Sequence, residues 1–286
     1  MIPSPIVLPA AADFHIHLRD GAMSRAVVPT IRSGGVDTVY VMPNLVPPVT
    51  SVTDALAYRD RLLAISSNGY VDYLMTLYLS AGHTTPAVVR EAAESGVVKG
   101  IKVYPQGVTT NSAAGVSSYD EFLDVFAEME RVGLVLNIHG EVPSGRDKST
   151  TVLNAESKFL PTLKLLHEKF PKLRIVLEHC TTRDAVEAVR ACGDTVAGTI
   201  TAHHLYLTVD DWASDVVCVL CVAGFIERCH DPFLFCFSPV ALFSMTWISK
   251  SHCITLVLTT CTALLLQACS QDTRRPPCSP PSTCPV

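Results

Sequence analysis

The sequence lacks the excess of positive charge that a nucleic-acid-binding surface needs. Its 286 residues include 22 Lys and Arg against 27 Asp and Glu, which gives a formal net charge of −5. Attraction to phosphates supplies most of the non-specific affinity of proteins for nucleic acid. We therefore expect no nucleic-acid partner, and the 48% hydrophobic content indicates a globular protein with a sizeable core.

Little in the sequence would direct the chain into or across a membrane. Residues 1–8 lack both a basic lead and a continuous apolar core of signal-peptide length. The apolar residues 254–266 are interrupted by threonines and are fewer than the roughly 18 that a spanning helix needs. We expect a cytoplasmic protein that is not associated with a membrane.

Cysteine is scarce over most of the chain. Only Cys180 and Cys192 precede Ser214, whereas nine of the 11 cysteines follow it. Charged residues change at the same point, from 41 among the first 213 residues to 8 among the last 73. We predict that residues 1–213 form one folded unit without a disulfide framework, and that 214–286 are an atypical Cys-rich tail.

The abrupt change at residue 214 is what mis-spliced or frame-shifted sequence would produce, and a genuine isoform is the alternative. Cys218 and Cys221 form a single Cys-x-x-Cys without the partner pair of a zinc knuckle. The Pro- and Ser-rich residues 274–286 predict a disordered end.

Before Ser214, short apolar runs alternate with amphipathic stretches of helical length. The apolar runs predict strands at 12–16, 38–42, 72–79, 98–104, 135–139, 174–179 and 196–201. The clearest helical patterns lie at 53–66, 86–95, 119–132, 156–170 and 182–191. The alternation predicts an α/β fold with a parallel sheet or barrel, and the length is enough for a TIM (β/α)8-type barrel, which takes about 250 residues. Since no eighth strand is recognisable, we expect the barrel to be incomplete.

Histidines stand at the ends of several predicted strands. His15 and His17 close the first strand two residues apart, so their side chains project to the same face. His139 and His179 close the fifth and sixth strands. Active sites of such barrels form where the carboxyl ends of the strands meet, and four imidazoles at one mouth suit zinc. Any one of these histidines alone would be an ordinary core or loop residue, so the prediction depends on all four.

Lys102 stands at the end of the fourth predicted strand, at the level of these histidines. An ammonium group cannot bind a metal because it has only donors. A buried lysine near cations loses its proton readily, and the free amine can react with carbon dioxide to give a carbamate whose two oxygens could bridge two metals. Lys99 lies on the opposite face of the strand and is expected to be solvated.

Six motifs, in order between about residues 8 and 212, resemble the single-domain microbial and fungal dihydroorotases of the amidohydrolase superfamily. They read DFHIHLRDG at 13–21, YVMPNLVPPVT at 40–50, KVYP at 102–105 with TTNS at 109–112, NIHGE at 137–141, EHCTT at 178–182 and TITAHHL at 199–205. A hydantoinase, an allantoinase or a phosphotriesterase would share the histidines but not the pairing of LRDG with MPN.

The resemblance implies a metal centre with two zinc ions per subunit. His15, His17 and carboxylated Lys102 would hold the more buried ion, and Lys102, His139 and His179 the more exposed one. The reaction implied is the reversible cyclisation of N-carbamoyl-L-aspartate to (S)-dihydroorotate and water in de novo pyrimidine (UMP) biosynthesis. We thus expect an enzyme with a small-molecule substrate, and a homodimer.

The resemblance also implies which residues bind the substrate. Arg19 and Asn44 would bind its carboxylate, for which the guanidinium fork offers two-point contact. Thr109 and Thr110 would lie on a mobile loop that closes over the substrate.

The sequence departs from the family pattern near its end. The family has a general-base aspartate at the end of strand eight, in a Gly-Thr/Ser-Asp-Ser-Ala-Pro-His run that does not occur here. Asp231 precedes a proline and Asp272 lies beside Arg-Arg-Pro-Pro, so neither is a good substitute. The alternatives to an active dihydroorotase are a metal- and ligand-binding barrel without activity and another cyclic amidohydrolase of the hydantoinase or allantoinase type.

Overall fold

The fold is an eight-stranded sheet curved into a nearly closed barrel, with helices packed on its outside. A computed structural model describes residues 8–66, 69–143, 149–205 and 245–248. The strands are hydrogen-bonded in sequence order, and the first seven are parallel. The predicted α/β barrel is confirmed.

All seven predicted strands are present, with ends that differ from the prediction by at most two residues. They are β1 Ala11–Ile16, β2 Val36–Val41, β3 Asp72–Tyr78, β4 Val98–Val103, β5 Val135–His139, β6 Ile175–Glu178 and β7 Val196–Thr201. The helices are α1 Gly21–Ser33, α2 Val52–Ile65, α3 Pro86–Glu94, α4 Leu123–Val132, α5 Ala155–Lys169 and α6 Arg183–Cys192, with 3-10 turns at Asp120–Phe122 and Ala202–Leu205. Helix α1 is not among the predicted helices.

Capping residues fix where the helices begin and end. The side chains of Ser51, Thr85 and Thr182 each accept a hydrogen bond from the backbone N–H three residues later, at the starts of α2, α3 and α6. Gly133 ends α4 in the left-handed conformation, with φ of 75°. These caps set the lengths of the loops that join helices to strands.

Strand register decides which polar side chains meet at the mouth of the barrel. The aliphatic residues of the central strands are fully buried, as expected for parallel strands covered by helices. Pairing of β4 with β5 sets Lys102 beside Asn137, and pairing of β5 with β6 sets His139 beside Glu178. All four of these polar residues are buried.

A short strand from the tail completes the sheet. This strand, β8 at Met245–Ile248, pairs with β7 in antiparallel orientation, whereas all other pairs are parallel. Asp231, Asp272, the Cys218–Cys221 pair and residues 254–266 lie outside the described residues. The predicted boundary at residue 214 stays a prediction. Within the described ranges, no helix combines the length and the apolar character that crossing a membrane would require.

Candidate metal and substrate site

One cavity at the mouth of the barrel brings together eight of the nine site residues predicted from the sequence. It has a volume of about 180 Å³, and Tyr104 also lines it; the eight predicted residues are His15, His17, Arg19, Asn44, Thr109, Thr110, His139 and His179. The remaining one, Lys102, is fully buried in β4. Residues far apart in the sequence therefore converge as the strand-end argument predicts.

At the end of β1, His15 and His17 direct their Nε2 atoms towards each other. These atoms are 3.1 Å apart. The Nδ1 atom of His15 lies 3.1 Å from Oε2 of Glu178, and Nδ1 of His17 donates to Oδ1 of Asn44 over 2.7 Å. Because a carboxylate oxygen and an amide oxygen can only accept, both contacts suit the tautomer with the hydrogen on Nδ1, which leaves a lone pair on each Nε2. Two lone pairs at this distance need a proton or a metal cation between them.

The surroundings of the histidines disfavour a proton between the two facing Nε2 atoms. Burial lowers the pKa of His15, His17 and His179. Neighbouring groups, including Lys102, lower the pKa of all three further, although the carboxylate of Glu178 opposes the change at His15. The three imidazoles are thus neutral near pH 7, which is the form that binds metals.

His139 and His179 extend the cluster across the mouth. Their ring centroids are 4.5 Å apart, and the ring of His179 is 5.5 Å from that of His15. His179 has φ of 44°, a backbone conformation that is uncommon outside glycine and is often found at functional sites. The Nε2 atom of His139 contacts Oε2 of Glu141 at 2.5 Å, which leaves its Nδ1 as the nitrogen for a metal.

Lys102 has the environment that carbamate formation requires. Its Nζ is buried and has no hydrogen-bond partner among the described residues. Burial lowers the pKa of Lys102 to about 8, and the nearby Glu178 carboxylate acts in the opposite direction. With this pKa, about one-tenth of the side chains are free amine at pH 7, far more than for an exposed lysine. Lys99 is exposed, as predicted.

These residues fit a metal pair only if Lys102 contributes. Within the described ranges, no three His, Cys, Asp or Glu side chains are arranged to hold a metal ion by themselves. The predicted centre needs only two histidines per ion, with oxygens of a Lys102 carbamate as further ligands. The facing Nε2 atoms, the neutral imidazoles and the unpartnered Nζ are consistent with that set.

Arg19 and the loop that contains Thr109 and Thr110 form the outer part of the cavity. Arg19 has φ of 54°, and its Nη1 is buried with no partner among the described residues. Asn44 donates through Nδ2 to the carbonyl oxygen of Thr110 over 3.1 Å and accepts at its own carbonyl from Asn111 over 2.9 Å. Asn44 therefore joins this loop to His17, a contact that its predicted substrate role did not include.

No protein-family model matches the chain. In sequence it is 57% identical over 211 residues to a probable dihydroorotase of Schizosaccharomyces pombe and 55% identical over 208 residues to the dihydroorotase of Mycosarcoma maydis. The alignments cover 74% and 73% of this chain and 61% and 52% of the relatives. The crystal structure of Saccharomyces cerevisiae dihydroorotase in complex with 5-fluoroorotic acid matches with a TM-score of 0.69 and 44% identity, covering 73% of this chain and 60% of that one.

The chain is similar to the dihydroorotases in sequence and in fold. Its barrel has the amidohydrolase fold, as the six motifs predict. The chain spans about half to three-fifths of the length of the two curated relatives, from Schizosaccharomyces pombe and Mycosarcoma maydis.

Three residues within the dihydroorotase-like motifs lie directly behind the histidines although the sequence pattern gave them no role. Glu178 accepts from Asn137 Nδ2 over 2.7 Å and from Thr199 Oγ1 over 2.8 Å. Burial would raise the pKa of Glu178, but His15, Lys102 and the hydrogen bond from Thr199 outweigh it and lower the pKa to about 2. The available signal was position, since Glu178 precedes His179 and Asn137 stands two residues before His139.

Tyr104 is a further lining residue that the sequence pattern did not single out. Its Oη is buried and has no partner among the described residues, and burial raises its pKa well above the usual value. The hydroxyl thus stays protonated and can donate to a ligand in the cavity.

Proposed function

We propose that this barrel is a dihydroorotase site, which binds N-carbamoyl-L-aspartate and (S)-dihydroorotate and interconverts them in de novo pyrimidine (UMP) biosynthesis. The observation that carries the proposal is the single cavity lined by four histidines together with Arg19 and Asn44. The pair of Arg19 and Asn44 suits a ligand with a carboxylate, which dihydroorotate has and hydantoin lacks. Identity of 57% to a probable dihydroorotase gives further support.

The metal centre in this proposal contains two zinc ions per subunit. His15, His17 and Lys102 would hold one, and Lys102, His139 and His179 the other, with Lys102 carboxylated by carbon dioxide. When bound, the pair polarises the reacting carbonyl and makes an activated water available at neutral pH. The lowered pKa of Lys102 supports the carbamate, because only the free amine reacts with carbon dioxide.

The chain's own residues would bind and orient the substrate. The unpartnered Nη1 of Arg19 would donate to the substrate carboxylate, and Tyr104 Oη offers a second donor in the same cavity. Thr109 and Thr110 would close over the ligand and exclude water. Asn44 contacts both His17 and Thr110, so a movement of this loop would change the hydrogen bond that orients His17.

Turnover also needs a group that moves a proton to or from the ring nitrogen. None of the described residues that line the cavity carries a carboxylate. In the family, the strand-eight aspartate performs this task, and its motif does not occur in this sequence. We therefore propose that the chain as written binds metal and ligand but turns the substrate over slowly.

The proposal includes a homodimer in the cytoplasm with no nucleic-acid partner. The net charge of −5 supports the last point. Measurement of mass in solution by light scattering tests the first, and a monomeric mass would contradict it.

Calorimetric titration of the zinc-loaded chain with dihydroorotate, orotate and hydantoin tests the proposed site. We expect both carboxylate-containing ligands to bind and hydantoin to bind at least about tenfold more weakly, because it leaves Arg19 unpaired. Equal affinity for hydantoin would favour the hydantoinase alternative. Absence of binding by all three would contradict a cyclic-amide site altogether.

A further inference from the structure

A buried carboxylate connects two of the histidines at the barrel mouth from behind. We propose that Glu178 is a positioning residue that fixes the imidazole of His15 and the backbone of His179 in the geometry that binds metal. The inference rests on the proposed function, because it assumes that these histidines hold a metal.

Two polar contacts start from the same oxygen of Glu178, an ion-pair contact with His15 and a hydrogen bond from Thr199. Oε2 lies 3.1 Å from Nδ1 of His15 and accepts from Oγ1 of Thr199 over 2.8 Å. The same Thr199 oxygen accepts from the backbone N–H of His179 over 2.7 Å. One carboxylate therefore reaches a ligand on β1 directly and a ligand after β6 through one hydroxyl.

The contact with His15 selects the ring nitrogen that is offered to a metal. With the hydrogen on Nδ1, the lone pair lies on Nε2, which is the atom that faces His17. A hydrogen-bond acceptor behind a metal-binding histidine fixes both its tautomer and the orientation of its ring. Without Glu178, the His15 ring could rotate or exchange tautomers, and the pair of facing Nε2 atoms would be lost.

The other oxygen of Glu178 is held by a network with little freedom. Oε1 accepts from Asn137 Nδ2 over 2.7 Å, and Asn137 Oδ1 accepts from Tyr40 Oη over 2.8 Å. Because the carboxylate can only accept, the amide nitrogen of Asn137 faces Glu178, and the amide oxygen is left to accept from the tyrosine hydroxyl.

Gly100 provides the space for this network. A Cβ at Gly100 would lie 2.6 Å from Asn137 Oδ1 and would also overlap Tyr40 Oη. Residues of three strands, β2, β4 and β5, therefore act together to fix the orientation of one carboxylate. The packing of an apolar core would not require such a network of polar groups.

Cobalt(II) bound to the full-length chain tests the proposal, because both its affinity and its absorption spectrum report on the ligand geometry. The affinity is measured by competition with a chelator for the wild type, Glu178→Gln and the control Glu128→Gln, at a partly buried carboxylate of α4 outside the cavity. We expect Glu178→Gln to weaken cobalt binding about 10- to 100-fold and to change the spectrum. Glu128→Gln should match the wild type, since Glu128 forms ion pairs with Arg90 and Arg131 and does not line the cavity.

A second set of variants covers the case in which Glu178→Gln does not fold. Thr199→Val removes only the hydroxyl that links Glu178 to His179, and Thr199→Ser keeps it. The matched control is Thr76→Val, which removes another buried hydroxyl of the barrel, one that donates to the carbonyl of Val41. We expect weaker cobalt binding for Thr199→Val alone.

The outcomes separate this inference from the function on which it rests. If the wild type binds cobalt and both Thr199→Val and any folded Glu178→Gln bind it equally well with an unchanged spectrum, the positioning role is overturned and the proposed site survives. If the wild type binds no cobalt at all, the proposed metal centre is wrong, and this inference with it.

Discussion

At Arg19, a single substitution can separate positive charge from the geometry of the guanidinium fork. We expect Arg19→Lys to weaken orotate binding about tenfold while the zinc content stays unchanged, because lysine keeps the charge but loses the two-point contact. Arg61→Lys is the matched control, since Arg61 forms an exposed ion pair with Asp20. Calorimetry and metal analysis of the same samples check both parts. Loss of zinc with unchanged orotate affinity would mean that the assigned role is wrong.

The zinc content of variants tests the proposed metal ligands. We expect the purified chain to contain about two zinc ions, and His15→Ala or Lys102→Ala to lower that content clearly, because each removes a donor from the pair. His83→Ala, at an exposed histidine away from the cavity, should have no effect. Elemental analysis after dialysis provides the measurement. Unchanged zinc in both site variants would rule out this ligand set.

Residues with a characteristic chemistry at a strand end were predictable, and those that act through them were not. His139 could be proposed from sequence because it ends a predicted strand in company with three other histidines at strand ends. Asn137 and Thr199 could not, since asparagine and threonine are common in many contexts and their importance here depends on contacts across strands. The contact of Asn44 with His17 joins residues 27 positions apart and equally needs the fold.

At the scale of elements, the loop between β6 and α6 depends on a carboxylate from a different helix. Glu156 of α5 accepts from the backbone N–H groups of Thr181 and Thr182 over 2.8 and 2.7 Å and from Thr182 Oγ1 over 2.5 Å. We expect Glu156→Ala to lower the free energy of unfolding by about 2–3 kcal/mol, because buried donors lose a charged acceptor. Urea unfolding measures this.

Another glutamate of α5 offers the control. Glu168 is exposed and lies 3.8 Å from Lys164, so Glu168→Ala should cost less than about 0.5 kcal/mol. Equal losses for the two substitutions would contradict the role of Glu156 in holding the loop, because alanine itself favours the helix.

Most elements followed from hydrophobic periodicity, and the one described α-helix not predicted has a clear physical reason. Helix α1 begins at Gly21, with φ of 65°, and contains Pro29, which lacks a backbone N–H and usually interrupts a helix. Burial of Val28 and Ile31 compensates, and burial is a tertiary effect that a local pattern does not contain. For the same reason the position of β8 could not be predicted from its four residues.

For the whole molecule, the decisive comparison is between this chain and a chimera in which the residues after Trp212 are replaced by the corresponding segment of a dihydroorotase. We expect the chimera to hydrolyse dihydroorotate faster by about 10²–10⁴-fold or more, since general acid–base catalysis alone contributes that factor. A barrel closed by a full parallel strand should also retain its metal site better. The assay uses saturating zinc and bicarbonate. Equal turnover by both chains would mean that the tail supplies a base not recognised in its sequence.

The direction of β8 limits where such a base could be found. Met245 pairs with Thr201, at the end of β7 nearest the substrate cavity, and Ile248 pairs with Gly198, deeper in the sheet. A parallel eighth strand would end at the level of the cavity, whereas this antiparallel strand begins there and ends deeper in the sheet. The strand thus brings its first residue, Met245, and not its last, to the end of the barrel at which a parallel strand would present a catalytic base.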